Sequence, residues 1–317
     1  SLANPEFPRY FFWHEHVERF LTRVHGRYEP WWYFIPVLAG GLLPWTLLAP
    51  RALALGIWRR IGSSFQPARV LWLWAVVIFV FFSASSSKLA SYILPVFPAL
   101  AVLLSLALAR VSARALRWAL APVAVGALAL AAATPWSARL ASREIPAELY
   151  TAYAPWVAAS MLLLAAGLLG ALWLDARGRR GAALVTAGLA GLVSTQGVVT
   201  GHDALAPAQS AAAIAGAIRP SLRPDVPFYS VNFYDQTLNF YIGRTVTLVE
   251  HKNEFEFGIA QEPHKFVPTF DEFARRWAAD PQALAITSRE YFPRIQSSGL
   301  PLVVIAADTR RVVFRKP

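Results

Sequence analysis

Two stretches set reactive residues inside an otherwise apolar chain. The first is HEHVERF, residues 14–20, preceded by the aromatic run YFFW at 10–13. The second is SSSKLASY, residues 85–92. A helix running from Tyr10 to about His25 places Glu15 and Arg19 four apart, in the favourable acid-before-base order. It sets His16 on one face with Arg19 and Phe20, and His14 on another face with Glu18. Arginine offers a planar fork that matches phosphate oxygens. A histidine beside it can donate a hydrogen bond or ligate a metal. HEH is not the HExxH zinc spacing, because residues two apart point to different sides of a helix; a metal at His14 needs ligands from elsewhere. In the second stretch, Lys88 is a point charge suited to phosphate, and the Tyr92 hydroxyl can hydrogen-bond the same group. The chemistry in view is recognition of an anionic lipid headgroup. Each stretch also has a plainer reading. The first can be an interfacial helix with surface ion pairs. In the second, Lys88 can snorkel to the membrane surface and Tyr92 can anchor there. Local sequence leaves both readings open.

The elements that position these residues are membrane-spanning. Of 317 residues, 56% are hydrophobic and only 15% charged, against about 25% charged in soluble proteins. There is no cysteine, which excludes disulfides, cysteine zinc sites and cysteine nucleophiles. The net charge of +11 is uneven. Residues 1–30 carry four basic and four acidic residues, residues 31–201 thirteen and three, and residues 202–317 thirteen and twelve. The excess therefore sits in the apolar half, where it must occupy loops. That argues against nucleic acid as a partner, which would need a basic patch on a soluble face.

Six apolar segments, about 31–49, 69–86, 92–109, 117–135, 155–174 and 181–200, are each about long enough to cross a bilayer. Arg51, Arg59, Arg60, Arg69, Arg110, Arg114, Arg117, Arg177, Arg179 and Arg180 flank them on one side. The opposite side holds Lys88, then Arg139 and Arg143 offset by Glu144 and Glu148. The positive-inside rule puts the arginine-rich loops in the cytoplasm and both chain ends outside. Prolines inside spans are tolerated where neighbours satisfy the freed carbonyl, and small residues in the last three spans suit close helix packing. Only about five residues separate the second and third spans, a tight outer turn that gathers Lys88 and Tyr92.

Past Gly201 the pattern changes to a small α/β domain on the outer side. AQSAAAIAGAIRP, DQTLNFYIG and TFDEFARRWAAD read as helices, the last with Thr269 as N-cap. VPFYSV, TVTLVE, ALAIT, PLVVIA and RVVFR read as strands. No Gly-rich phosphate loop is present there. Position 1 is Ser, and residues 1–30 lack the pattern of a signal peptide; the chain reads as the C-terminal part of something longer.

PEFPRYFFWHEHVERF, WWYFIPVLAGGLLPW and SSSKLASYILPVFPALAVLL together resemble the polyprenyl-phosphate-dependent glycosyltransferases. These are bacterial relatives of the protein O-mannosyltransferases, and the lipid A 4-amino-4-deoxy-L-arabinose transferase group is the most similar. Residues 1–110 carry most of the resemblance. It implies an α-helical polytopic membrane protein of the GT-C type with a small C-terminal α/β domain: residues 1–30 as a periplasmic interfacial segment, 31–201 as six transmembrane helices and 202–317 as a periplasmic domain. It implies an enzyme of the bacterial inner membrane that moves a sugar from undecaprenyl phosphate to lipid A, another glycan or a protein. Arg19 and Tyr92 match phosphate contacts of the family, and Lys88 belongs to the same motif. His14 matches a position implicated in binding a divalent metal ion, with Glu15 and His16 in support. Where the family reads KLPTYILP, this chain has Ala90 and Ser91, which alters the turn and keeps the Lys–Tyr spacing. The family's catalytic acidic residue has no counterpart in 1–317 and is expected upstream of Ser1. The different class of reading is a non-catalytic membrane protein that binds or flips a polyprenyl-phosphate lipid.

Overall fold

The computed structural model describes residues 5–13, 29–57, 65–142 and 144–317. The chain divides into two compact units. One holds residues up to Ala133 together with Trp156–Val198; the other holds Thr134–Pro155 and Val199–Pro317.

The first unit is helical. Its elements are α1 (Phe34–Gly41), α2 (Ala49–Ile57), α3 (Pro67–Ala84), α4 (Phe97–Leu108), α5 (Ala113–Ala133), α6 (Ala147–Ala176, from Trp156 onward) and α7 (Arg180–Gly201, to Val198). Five stretches among the described residues are long and apolar enough to cross a membrane: Pro67–Ala84, Ala90–Leu108, Ala113–Leu140, Ala147–Ala176 and Arg180–Gln209. The segment expected as the first span, over 31–49, is bent, and it makes a sixth span if the bent pair counts as one. Phe34–Gly41 and Thr46–Ile57 meet at 112°. Gly40, Gly41 and Pro44 explain the break. Glycine is a poor helix former, and proline has no N–H to give the preceding turn. The Thr46 hydroxyl donates to the Ala39 carbonyl at 2.5 Å, satisfying an acceptor near the end of α1.

Phe34, Leu48, Ile93, Leu103, Leu116, Leu120 and Leu168 are buried at the centre of this unit. The opposite faces remain apolar and exposed, with Val77, Val125 and Leu192 each more than 60% accessible. Such a surface is stable only in a hydrocarbon solvent. The chain is a multi-pass membrane protein. Small residues bring α6 and α7 together. A Cβ on Gly167 would collide with the Ala190 Cβ, and one on Gly197 with the Ser160 Oγ. This is the close backbone approach that Gly and Ala permit between membrane helices.

The second unit carries a six-stranded mixed sheet of order β3-β2-β1-β4-β6-β5. Its strands are β1 (Phe228–Val231), β2 (Thr247–Val249), β3 (Phe266–Val267), β4 (Leu284–Ser288), β5 (Val303–Ala307) and β6 (Arg311–Arg315). The first four run parallel, while β6 pairs antiparallel with β4 and β5 with β6. Successive residues face opposite sides of a strand, and here both sides are covered. Phe228, Ile286 and Val313 pack with Ile214 and Ile218 of α8 (Ala212–Ile218) and Leu238 of α9 (Gln236–Ile242). Tyr229, Ala285 and Phe314 pack with Phe273 and Trp277 of α10 (Phe270–Ala279) and Ile295 of α11 (Phe292–Ser297).

Thr269 caps α10, its hydroxyl accepting from the Glu272 N–H at 3.2 Å. Asp235 caps α9, and Gly243 ends it at φ 66, the left-handed turn that favours glycine. The helix expected over AQSAAAIAGAIRP is two pieces, Ala206–Gln209 and Ala212–Ile218, with Ser210 extended between them. The cause is Arg311, which is fully buried. Its Nε donates to Asp235 at 2.5 Å and its Nη1 to Asp308 at 2.7 Å. The same guanidinium donates to the Ser210 and Gln209 carbonyls at 3.2 and 3.3 Å. A buried cation must be paired and fully hydrogen-bonded, and opening the helix at Ser210 frees two of the acceptors it uses. Burial opposes ionisation of Asp235. Hydrogen bonds from Thr237 and Arg311, and the Arg311 charge, outweigh that, so its carboxyl ionises below the ordinary carboxylate range.

Candidate functional site

The SSSK stretch ends a helix, and the sequence shows why. Serine side chains compete for backbone groups and weaken helices. After Ala84 the chain is extended at Ser85 (ψ 144°), bends at Ser86 and is extended again at Leu89 (ψ 143°). It then enters a tight 3-10 turn at Ala90–Val96, and Pro98 opens α4 at its first turn. The five residues 85–89 therefore form the link between two spans.

Lys88 lies in that link and is buried, with 4% of its surface accessible. Its ammonium donates to the Ser85 carbonyl at 2.5 Å and to the Glu29 carbonyl at 2.9 Å. Ser85 and Ser87 are buried beside it, and the Ser85 hydroxyl donates to the Ser87 carbonyl at 3.0 Å. The Ser87 hydroxyl is buried without a hydrogen-bond partner among the described residues. Burial holds the Lys88 pKa below the ordinary lysine value, against the opposing pull of the Glu29 charge. Lys88 is thus a strut: it ties the chain ahead of α1 to the link after α3. An ammonium has three donors, and two are used in this way.

Tyr92 is half-buried in the 3-10 turn. Its ring packs on Phe82 at 5.3 Å between centroids, and its N–H donates to the Leu89 carbonyl at 3.0 Å. No hydrogen bond joins Lys88 to Tyr92 among the described residues. Lys88 and Tyr92 share one short segment, the ammonium held by two carbonyls and the tyrosine ring packed on Phe82.

Arg19, His14, Glu15 and His16 lie outside the described residues. Just before them, residues 5–13 are described: Phe7 stacks on Phe11 at 5.6 Å, and Phe12 and Trp13 are exposed. Among the described residues no group of three His, Asp or Glu side chains is placed to hold a metal ion.

The Glu29 carbonyl is the partner that sequence reasoning did not find. It lies fifty-nine residues from Lys88, and backbone acceptors carry no signature in residue type. Pro30, immediately before the aromatic pair at 31–32, marks only that the chain is extended there.

The chain resembles known proteins along nearly its whole length. A family model described as the aminoarabinose transferase C-terminal domain matches residues 214–316. A protein of Sodalis glossinidius named undecaprenyl phosphate-alpha-4-amino-4-deoxy-L-arabinose arabinosyl transferase 1 is 45% identical over 106 residues, covering 33% of this chain and 18% of that protein. The protein of the same function name from Erwinia tasmaniensis is 36% identical over 178 residues, covering 52% of this chain and 32% of that one. The crystal structure of ArnT from Cupriavidus metallidurans bound to undecaprenyl phosphate matches with a TM-score of 0.88 and 35% identity. That match covers 99% of this chain and 57% of the other. The chain spans less than two thirds of each of these relatives.

Proposed function

We propose that this chain, a polytopic membrane protein of the GT-C type ending in an aminoarabinose transferase C-terminal domain, is part of a glycosyltransferase. In this reading it moves a sugar from undecaprenyl phosphate to an acceptor such as lipid A. The observation that carries the reading is the match over 99% of the chain, at 35% identity, to an enzyme solved with undecaprenyl phosphate. The chain would supply the part that holds the donor lipid and its leaving phosphate.

The reaction is a substitution at the anomeric carbon. An acceptor oxygen forms the new bond to that carbon, the bond to the phosphate oxygen breaks, and polyprenyl phosphate leaves with the electron pair. The acceptor proton goes to an acidic base, expected from a part of the relatives that this chain does not cover. Negative charge grows on the departing phosphate, so fixed donors and cations there lower the barrier. We assign that role to the Arg19 guanidinium and the Tyr92 hydroxyl. The third Lys88 N–H is assigned to the same anion, while the other two hold the link in place. The proposal includes a divalent cation at His14, with Glu15 and His16 beside it; no step of the reaction is routed through it.

The orientation follows from charge. The arginine-rich loops face the cytoplasm, and the 85–89 link, the first thirty residues and the C-terminal domain face the periplasm of a bacterial inner membrane. Mass spectrometry of lipid A and cell-surface glycans, with the complete gene intact or deleted, tests the activity. Deletion removes a sugar-bearing species and restores it on complementation; identical profiles overturn the reading in favour of a non-catalytic lipid-binding protein.

A further inference from the structure

A second basic site lies in the membrane unit, at a cavity of about 270 Å³. Leu47, Leu48 and Arg51 line it from the second limb of the broken span, and Arg114, Ala115 and Trp118 line it from α5. Helical spacing accounts for the arrangement. Arg114 and Trp118 are four apart on α5, so that helix presents one cation and one apolar group on a single face, while Leu47 lies in the 3-10 turn Thr46–Leu48 that leads into α2, which carries Arg51. The 112° turn after α1 is what swings Arg51 to this place.

Neither Arg51 nor Arg114 has a carboxylate partner among the described residues. The nearby acid of the arginine-rich loops, Asp175, is already taken by Arg180 at 2.5 Å. Ser112, also on the cavity wall, is committed as acceptor of the Ala115 N–H at 3.2 Å. Two arginines lining one cavity, without a carboxylate partner among the described residues, suit a doubly contacted phosphate. The walls select the carrier of that phosphate. Leu47 is half exposed and Trp118 is 70% exposed, so the cavity opens onto an apolar flank. An indole at the rim suits the headgroup level of a bilayer.

We infer that this cavity binds the phosphate of an anionic phospholipid, with the acyl chains lying along Leu47 and Trp118. The site stands on the arginine-rich side, apart from the Lys88 link, and does not depend on the sugar chemistry. Basic pockets between membrane helices are suited to such headgroups, because anionic lipid is concentrated beside positive loops.

Native mass spectrometry of the purified full chain, titrated with phosphatidylglycerol or phosphatidylcholine, tests the inference. The wild type retains phosphatidylglycerol over phosphatidylcholine. The pair Arg51→Gln/Arg114→Gln lowers that retention at least about tenfold, as expected for loss of two charge-assisted contacts. The pair Arg177→Gln/Arg179→Gln removes the same charge from the same side and leaves retention unchanged. Equal losses in both pairs reveal diffuse attraction and overturn the site, as does no loss in the first pair. Displacement of the lipid by inorganic phosphate at equal concentration makes it a free-anion site and overturns the lipid assignment. If the first pair does not fold, the wild type still decides. Phosphatidylglycerol must raise its thermal midpoint more than phosphatidylcholine does, and equal shifts from the two lipids sink the inference.

Discussion

Replacing Lys88 by Met keeps the length of the side chain and removes its charge. Two charge-assisted hydrogen bonds are lost, to the Ser85 and Glu29 carbonyls at 2.5 and 2.9 Å. Each such bond contributes about 1.5–3 kcal/mol. Against this, the variant no longer carries the cost of dehydrating an ammonium, which is several kcal/mol for a buried ion. The lowered Lys88 pKa shows that this cost is only partly offset in the folded protein. Met also leaves the Ser85 and Glu29 carbonyls without their donor, at about 1–3 kcal/mol for each buried acceptor, and this penalty rather than loss of the charge itself sets a net loss of about 2 kcal/mol in the segments that the strut ties together. Local opening then becomes about thirtyfold more frequent, since about 1.4 kcal/mol is a factor of ten. Hydrogen–deuterium exchange in detergent reads this directly. The Tyr92 amide, bonded to Leu89, and the Tyr33 amide, bonded to Pro30, lie in the two affected segments. Both peptides should exchange faster by about that factor, while peptides of the C-terminal sheet stay unchanged. Unchanged exchange at 29–36 and 85–96 would refute the strut. A uniform increase throughout the chain would refute the claim that its effect is local.

Two further outcomes follow from charge and proton linkage. Burial, the hydrogen bond to Asp280 and the Asp280 charge raise the Tyr229 pKa, with Arg276 opposing. Burial and Glu250 raise that of Tyr291, with Arg294 opposing. A tyrosine ionises near pH 10 when unfolded, so the stability these groups contribute is complete below about pH 10 and is lost as pH rises toward their folded values. Tyr229→Phe should therefore flatten the alkaline fall of the thermal midpoint above about pH 10; identical slopes in variant and wild type would rule the linkage out. For the orientation, a cysteine introduced at Ser86 in this cysteine-free chain should react with an impermeant thiol reagent added outside, and one at Ser63 should not. The reverse labelling pattern would invert the topology.

The parts of this fold that were legible in the sequence are those fixed by local physics. Apolar length marks membrane spans, and five of the long helices fall where the hydropathy runs do. Thr269 before an acidic first turn announces a capped helix, and a cap is what it forms. The rest depended on partners remote in sequence. Nothing local in AQSAAAIAGAIRP signals a break at Ser210; the break is made by Arg311, a hundred and one residues away. A sequence reader sees Arg311 only as one charge in a short strand, where exposure is the ordinary outcome for arginine. The two-residue β3 was too short to announce itself, and it exists because Leu248 and Val249 offer it an edge. In the candidate site, the type and spacing of Lys88 and Tyr92 pointed to an anion, whereas the strut to the Glu29 carbonyl was invisible. The bend at 42–45 was half visible: Gly40, Gly41 and Pro44 could be read as tolerated within a span, and the structure turns there instead.

We propose that Arg19 and the segment containing Tyr92 hold the phosphate of a polyprenyl lipid. The most direct measurement is the affinity of the purified protein for undecaprenyl phosphate, compared among wild type, Arg19→Ala and Tyr92→Phe at matched folding. Loss of a hydrogen bond to a charged group is worth about 1.5–3 kcal/mol, so each variant should bind about ten- to a hundredfold more weakly. Equal affinity in all three proteins would contradict the assignment of this site.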